Sequence, residues 1–380
     1  MRTINFWDYR QEYKFLKKKK LFSKIDKTLT SGKIFFGTEL ETFEKNFLKF
    51  NNSLFGLAVK NGTDALILSI KALGIKEGDE IITVSLTAIP TISAIVSTGA
   101  KPVFVDVNED CLINTKDIEK KITKKTKAII PVHLYGKVCN MDKIIEIAKK
   151  NNLKIIEDCA QSLGAKYKNK KCGNFGDFGC FSFYPTKILG AYGDGGFIVC
   201  KSKKKLNILK QLSFYGLETK NKKHKKFGKY YSNIHGYNSR IDNIQATILN
   251  LKLSFLKNWI KKRQNIAKKY FDGLFIKKSF NKNHVFHLLV IKTSKRQKLI
   301  KYLQKKKILT GIHYQNPIHK MAPYKMFKKN KKDLNNSEKY SNQVLSLPMH
   351  PFLKNDDVKR VIKEINLFQK NERIEIKPAI

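Results

Sequence analysis

Lys187 and Asp158 are the two residues of this sequence whose types and positions best suit chemistry. Lys187 follows an apolar run that starts at Phe181, and the glycine-rich residues 193–196 come soon after it. Asp158 ends another apolar run. A lysine amine can form a Schiff base with an aldehyde, and a carboxylate can keep a pyridine nitrogen protonated so that the ring withdraws electrons. The pair suits pyridoxal 5′-phosphate (PLP), although either residue alone would be a weak signal.

A second group of residues could bind the phosphate of such a cofactor. Gly62 and Thr63 lie between a strand pattern and a helix pattern, where glycine permits close approach and the first helical amides attract an anion. Ser182 offers a hydroxyl at the end of a later strand pattern. Each has an ordinary alternative, because Thr63 or Asp64 could simply cap the helix and Ser182 could face solvent. Gln161 follows the strand that carries the acid and could lie beside the cofactor ring.

Short β-branched runs alternate with amphipathic helical segments over the first part of the chain. This alternation predicts an α/β fold with a mostly parallel sheet and crossover helices. Ligands of such sheets bind beyond the carboxyl ends of the strands. The predicted helices include 64–73 and 141–151, and the predicted strands are 57–60, 80–84, 102–107, 128–133, 154–158, 179–183 and 196–200.

The remaining residues predict a smaller C-terminal α/β unit. A basic, weakly patterned stretch over 220–235 is typical of a loop, and apolar spacing predicts one long helix over 241–271. Residues 286–292, a helix over 295–306 and residues 309–313 would build the small unit. We therefore expect a large domain over 1–250 and, from the connecting helix onward, a smaller one over 251–380.

Composition limits the class of protein. The 380 residues carry a formal net charge of +45, almost all of it from lysine, which favours a lysine-rich proteome over nucleic-acid recognition by arginine. The six cysteines have no zinc-like spacing, so we expect no metal site. No apolar run approaches the roughly 18 residues that span a membrane, and no signal peptide is visible. A soluble, cytoplasmic protein without membrane contact is expected.

Five motifs, in order along nearly the whole chain, resemble the PLP-dependent nucleotide-sugar aminotransferases of the DegT type. The motifs are residues 61–66, 157–161, 182–196, 236–246 and 313–324. The resemblance implies the aspartate-aminotransferase fold (PLP fold type I) and a homodimer with shared active sites.

The resemblance also implies a role for individual residues. Lys187 matches the Schiff-base lysine, Asp158 the partner of the pyridine nitrogen and Gln161 a residue beside the ring. The phosphate ligands that it implies are Gly62, Thr63, Ser182 and, from the neighbouring subunit, Asn238. Arg240 stands beside that asparagine, where it could form a salt bridge that holds the loop.

The substrate position is suggested by residues around the lysine. Residues 184–191 and 87–91 resemble members that aminate C-3 of dTDP-3-keto-6-deoxyhexoses. Tyr184 would lie near the reacting carbon, and His313 and Tyr314 near the sugar. The sequence departs from the usual pattern in having Leu86 where histidine is common and Ala88 where an aromatic residue often covers the ring.

The resulting prediction is an enzyme that moves an amino group from L-glutamate to a dTDP-keto sugar for surface-glycan synthesis, such as O-antigen of lipopolysaccharide. Its predicted catalytic residues are Lys187, Asp158, Tyr184 and His313. A C-4 aminotransferase is the main alternative, and a DNA-binding regulator is the alternative from another class. A dehydratase of the same fold would carry histidine in place of Lys187.

Overall fold

The computed structural model describes residues 2–217, 231–274, 280–328 and 333–379, in which helices and strands alternate over much of the chain. The strands are β1 (Phe55–Val59), β2 (Glu80–Val84), β3 (Lys101–Val105), β4 (Thr126–Ile129), β5 (Lys154–Asp158), β6 (Lys166–Tyr167), β7 (Lys170–Lys171), β8 (Phe178–Ser182), β9 (Gly196–Cys200), β10 (Leu289–Lys292), β11 (Val344–Leu347) and β12 (Lys377–Pro378). The α-helices are α1 (Tyr9–Lys17), α2 (Leu21–Thr30), α3 (Thr38–Asn51), α4 (Gly62–Ala72), α5 (Ile89–Ser97), α6 (Thr115–Ile118), α7 (Met141–Lys150), α8 (Lys203–Ser213), α9 (Asn243–Leu253), α10 (Leu256–Leu274), α11 (Arg296–Lys305), α12 (Asn335–Gln343) and α13 (Asn355–Glu372).

Seven strands form the main sheet, in the order β1-β9-β8-β5-β4-β2-β3. β9 runs antiparallel to both neighbours, and the other neighbouring pairs are parallel. β2 and β9 are buried along their whole length, as expected where helices cover both faces. The predicted α/β fold with a mostly parallel sheet is therefore confirmed. The predicted strands 80–84, 154–158 and 196–200 have the observed bounds, and the other four differ by a few residues at their ends.

The strand directions bring the carboxyl ends of β1, β2, β5 and β8 to one edge of the sheet. Asp158 ends β5 opposite Cys180 of β8, and the chain then leaves β8 toward Lys187. α4 begins three residues after β1, and α5 begins five residues after β2. The topology thus gathers the segments that carry the predicted site residues.

The N-terminal helices are fixed to α9, which packs against α2 and α3. Glu12 of α1 and Lys252 of α9 form an ion pair of 2.6 Å in which both side chains are buried. The hydroxyls of Thr28 and Thr247 lie 2.8 Å apart. Two buried charges are tolerated here because they satisfy each other.

A three-stranded antiparallel sheet, β11-β10-β12, forms a second layer with its own apolar core. Residues of α10, α11 and α13 contribute to that core. In the described ranges, no helix is both long and apolar enough to cross a membrane. The division into domains over 1–250 and 251–380 stays a prediction.

Two C-terminal predictions are wrong in detail. The single helix over 241–271 is interrupted at Ser254 and Phe255, between α9 and α10. Residues 309–313 form no strand, because their backbone bonds go to two different segments. Leu309 N–H donates to the carbonyl of Ile4, and Gly311 N–H donates to the carbonyl of Ser346 in β11. Of the loop predicted over 220–235, residues 220–230 lie outside the described residues, and 231–235 form neither helix nor strand.

Candidate active site

A cavity of about 380 Å³ lies at the edge of the main sheet where the parallel strands end. Its size falls within the range of about 300–1,000 Å³ that is usual for ligand pockets. Larger, more open grooves lie elsewhere on the surface, away from the predicted residues. The predicted site residues that line the cavity are Gly62, Thr63, Asp158, Gln161, Ser182, Tyr184 and Lys187.

Lys187 is held by the tight loop that follows β8. Its backbone N–H donates to the carbonyl of Tyr184 at 2.8 Å, and Ala191 N–H donates to the carbonyl of Phe183 at 2.7 Å. Gly190 is required in this loop, because a Cβ there would collide with the carbonyl of Pro185. Burial lowers the pKa of Lys187 to about 8, and the charge of Asp158 partly opposes that effect. Near neutral pH a usable fraction of the amine is therefore neutral and nucleophilic.

Asp158 is only 5% exposed, and each of its two carboxylate oxygens accepts a hydrogen bond from the protein. Oδ2 accepts a hydrogen bond from Thr91 Oγ1 at 2.9 Å, and Oδ1 accepts one from Ala160 N–H at 3.1 Å. Thr91 Oγ1 in turn lies 3.1 Å from Thr87 Oγ1. The orientation of the carboxylate is thus fixed from α5. Thr91 lies in the sequence string 87–91, but the string alone assigns it no role.

The phosphate-binding residues lie where α4 touches the end of β8. The helix is capped by Asn61, whose Oδ1 accepts from Asp64 N–H at 2.8 Å, so the expected alternative of a cap by Thr63 or Asp64 is wrong. A Cβ on Gly62 would lie 2.7 Å from Cβ of Ser182, so glycine is needed at this contact. The helix start and the Ser182 hydroxyl therefore face the same cavity.

Tyr135, which lies outside the five sequence motifs, connects Gln161, His313 and Tyr314 at one side of the cavity. Gln161 Oε1 accepts from Tyr135 N–H at 2.9 Å, and Gln161 Nε2 donates to the hydroxyl oxygen of Tyr314 at 2.9 Å. The Tyr135 hydroxyl donates to the carbonyl of His313. His313 and Tyr314 do not line the cavity themselves. Tyr314 is bonded to Gln161, which does, and His313 is bonded to Tyr135 behind it.

His313 is a neutral imidazole in this environment. Burial, followed by the nearby charge of Lys187, lowers the pKa of His313 to about 4. Its ring stacks on Phe6 at 5.6 Å between centroids, and Nδ1 lies 2.9 Å from Ser346 Oγ. The N-terminal segment therefore helps to orient a residue that was predicted to be catalytic.

Asn238 lies outside the cavity and is exposed, paired with Phe214 through an isolated bridge. Its predicted reach into a neighbouring subunit stays a prediction. Arg240 does not form the expected salt bridge among the described residues. Its guanidinium instead lies over the rings of Phe35 and Phe214, at 4.7 and 5.4 Å from their centroids.

A buried group of His133, Glu157 and Cys159 lies behind the site and has the composition of a metal centre. Glu157, however, accepts backbone N–H bonds from Gly173, Phe175 and Gly176 at 2.7–2.8 Å. The Nδ1 atom of His133 accepts a further backbone bond, so its Nε2 carries the proton that is donated to Glu157 at 3.0 Å. These atoms serve a hydrogen-bond network that fixes the end of β5.

The sequence model of the DegT/DnrJ/EryC1/StrS aminotransferase family matches residues 16–366. The chain belongs to this family. It is 36% identical over 375 residues to dTDP-3-amino-3,4,6-trideoxy-alpha-D-glucose transaminase of Micromonospora megalomicea subsp. nigra, covering 96% of this chain and 98% of the relative. It is 39% identical to dTDP-3-amino-3,6-dideoxy-alpha-D-galactopyranose transaminase of Aneurinibacillus thermoaerophilus, covering 96% and 99%.

A solved structure confirms the predicted aminotransferase fold. DesV of S. venezuelae, crystallised with a ketimine intermediate, matches this DegT/DnrJ/EryC1/StrS aminotransferase with a TM-score of 0.90 at 34% identity, covering 97% of this chain and 99% of its own. Other relatives are named for UDP- and GDP-linked sugars. The chain is therefore a sugar aminotransferase, as predicted, and the comparisons leave the nucleotide and the ring position open.

The site residues of this DegT/DnrJ/EryC1/StrS aminotransferase fit the cofactor on which the family depends, PLP. Lys187 and Asp158 line one cavity, as an aldehyde and a pyridine nitrogen on the same ring require. The hydroxyls of Thr63 and Ser182 and the start of α4 provide the donors that a phosphate needs. The predicted cofactor is confirmed at the level of the family.

Proposed function

We propose that the protein transfers an amino group from L-glutamate to C-3 of a dTDP-3-keto-6-deoxyhexose, which gives a dTDP-3-amino-3,6-dideoxyhexose. The observation that carries the proposal is the placement of Lys187 and Asp158 in one cavity. The choice of C-3 is supported by the two relatives that are named for dTDP-3-amino sugars. It is also supported by Tyr184, which belongs to the sequence string that resembles C-3 aminating members and which lines the cavity.

In this proposal the residues of the chain divide the chemistry between binding and proton transfer. PLP supplies an aldehyde and an electron-withdrawing ring. Asp158 would hold its ring nitrogen, and Gly62, Thr63 and Ser182 its phosphate. Lys187 Nζ would hold the cofactor and, once released, take a proton from Cα of glutamate. The lowered pKa of Lys187, about 8, suits an amine that must alternate between charged and neutral forms near neutral pH.

On the substrate side, His313 and Tyr314 would contact the sugar. His313 remains neutral because of its lowered pKa, and its Nδ1 faces Ser346, so its Nε2 can either accept or donate one hydrogen bond. The Tyr314 hydroxyl accepts from Gln161 and keeps its own proton to donate. A keto sugar offers both carbonyl acceptors and hydroxyl donors, which this pair complements.

We further propose a homodimer in which each subunit supplies Asn238 to the site of the other. Supporting this proposal, large apolar side chains are exposed near Asn238, including Phe36 and Tyr215, which are 57% and 46% exposed. Phe36 and Tyr215 both contact Phe214, the bridge partner of Asn238. Contiguous exposed aromatics of this kind are typical of a surface that a second copy covers.

We propose that the reaction takes place in the cytoplasm and serves surface-glycan synthesis, such as O-antigen. All six cysteines are buried and free, which suits a reducing compartment.

Amination at C-4 is the second candidate function. A GDP-perosamine synthase of Escherichia coli O157:H7 is among the relatives, at 37% identity, so a substrate linked to another nucleotide also has support.

The deciding experiment gives the purified protein PLP, L-glutamate and dTDP-4-keto-6-deoxyglucose, with and without a 3,4-ketoisomerase. The product is identified by mass and NMR. We expect an amino group at C-3 that appears only with the isomerase. An amino group at C-4 without the isomerase would overturn the C-3 assignment and keep the roles of Lys187 and Asp158.

The same preparation tests the alternative of a DNA-binding regulator, which rests on the net charge of +45. A regulator would select one DNA sequence over others at a fixed salt concentration. We expect only weak binding that is independent of sequence and falls steeply with added salt.

A further inference from the structure

Tyr135 has a backbone conformation that bulky residues seldom adopt. Its φ is +59°, in the left-handed region, and its side chain is completely buried. Such a conformation is strained and persists only where the surroundings enforce it. The neighbouring Gly136 also has a positive φ, +110°, and a Cβ there would lie 2.9 Å from the backbone nitrogen of His287.

The surroundings that enforce this conformation come from the C-terminal part of the chain. Leu288 N–H donates to the carbonyl of Tyr135 at 3.2 Å, and Val285 N–H donates to the carbonyl of Gly136 at 3.0 Å. The turn after β4 is thus attached to the segment that leads into β10. Tyr135 is fixed by its backbone, which leaves its side chain pointing in a defined direction.

Tyr135 connects the cavity residue Gln161 to the loop that carries His313 and Tyr314. The Tyr135 N–H occupies Gln161 Oε1, so the amide of Gln161 can present only Nε2 to Tyr314. The Tyr135 hydroxyl donates to the carbonyl of His313. One residue therefore sets the amide orientation of Gln161 and restrains the loop that Gln161 contacts.

We propose that Tyr135 is a positioning residue for the keto-sugar half of the reaction, holding His313 and Tyr314 in place beside the cavity. The inference rests on the proposed function, in which those two residues contact the sugar. Tyr135 does not line the cavity, and its hydroxyl is used by His313, so it acts through the loop. Glutamate transfer at Lys187 does not require the contact between the Tyr135 hydroxyl and His313, and it should proceed without that contact.

The test is Tyr135→Phe, which removes the hydroxyl and keeps the ring and the backbone N–H. Tyr270→Phe is the matched control, because Tyr270 is also fully buried and donates its hydroxyl to a backbone carbonyl, that of Pro348, at 3.1 Å. Each half-reaction is followed separately in the holoenzyme by single-turnover absorbance. We expect KM for dTDP-3-keto-6-deoxyglucose to rise roughly 10-fold in Tyr135→Phe, from one lost hydrogen bond to a buried carbonyl. The glutamate half-reaction should stay within about twofold, and Tyr270→Phe should change neither value beyond that range.

Hydrogen exchange provides a readout that needs no substrate. Peptides covering 311–316 should exchange roughly 10-fold faster in Tyr135→Phe than in the parent protein, and unchanged in Tyr270→Phe. Unchanged exchange in Tyr135→Phe would overturn the inference even if the dTDP sugar proved not to be the substrate. Equal losses in both half-reactions, matching the loss of thermal stability, would also overturn it, since they indicate a purely structural role.

Discussion

The environment of Lys187 determines when its amine can react. In water a lysine has a pKa near 10.4, so only a small fraction is neutral at pH 7. Burial among the residues that follow β8 lowers the pKa of Lys187 to about 8. A lowered lysine pKa means that the neutral form dominates above that value and is lost as pH falls below it. The chemistry of this residue should follow that titration.

We expect the rate of PLP uptake by the cofactor-free protein to rise with pH and level off above about 8, because the neutral amine is the attacking form. Stopped-flow absorbance over pH 6–10 measures the profile. Lys187→Ala should bind PLP without covalent attachment and lack turnover. A rate that keeps rising to pH 10 would show that Lys187 has an ordinary pKa.

Thr91 is expected to orient the Asp158 carboxylate for its contact with the cofactor ring nitrogen. Thr91→Val removes the donor to Oδ2, which should reduce kcat by roughly 10-fold, in line with a lost bond to a charged group. Thr91→Ser keeps the hydroxyl and should recover most of the activity. If valine and serine variants behave alike, the hydrogen bond has no role in the reaction.

At the scale of elements, the buried ion pair between α1 and α9 attaches the N-terminal segment to the main body. Burial lowers the pKa of Lys252, while its partner Glu12 favours the charged form. The Nζ atom also lies 4.7 Å from the ring centroid of Tyr192. Removing one charge would leave the other buried without its ion-pair partner, whereas removing both would not.

We therefore expect Lys252→Met to lower the free energy of unfolding by about 3 kcal/mol, and the double variant with Glu12→Leu to recover most of that loss. Urea unfolding measures both. The exposed pair Lys268 and Asp272, 2.8 Å apart, provides the control, since Lys268→Met should cost less than about 1 kcal/mol. Additive losses in the double variant would contradict the pairing argument.

A helix or strand can be predicted from the sequence where neighbouring residues mark both of its ends. Strand β5 was predicted with the observed bounds because its apolar run ends in two acids. The break at Ser254 and Phe255 is not visible in the sequence, because the apolar residues Leu251, Phe255 and Trp259 recur every four residues across it and pack in one cluster. Neither proline nor glycine marks the position.

The predictability of the site follows the same rule. Lys187, Asp158 and Ser182 were found because their segments have a recognisable order of residue types, and all three line the cavity. Thr91 and Tyr135 act through contacts with residues that are distant in the sequence, 67 and 178 positions away. The order of strands that creates those contacts is a property of the folded chain.

At the scale of the whole molecule, shared active sites make a prediction that mixing experiments can test. Lys187→Ala and Asn238→Ala should each be nearly inactive alone. Hybrid dimers contain one site with both native residues, so a refolded equal mixture should regain roughly a quarter of the parent activity.

A mixture of Lys187→Ala with Asp158→Asn is the control. Both of those residues line the same cavity of one chain, so no hybrid site is intact. Failure of the first mixture to recover activity would argue against sites shared through Asn238.

The close contact between α4 and the end of the main sheet has a consequence for evolution. A Cβ on Gly62 would press against Ser182, and one on Gly196 would collide with the backbone of Asn61. We therefore expect substitutions of these two glycines to be rare, whichever sugar the enzyme uses. Around Tyr184, which is half exposed, side chains at the rim have solvent beside them, so we expect substitutions next to Tyr184 to be tolerated better. New substrate ranges in such a lineage should accumulate at the rim, which makes it the place to randomise in a selection library.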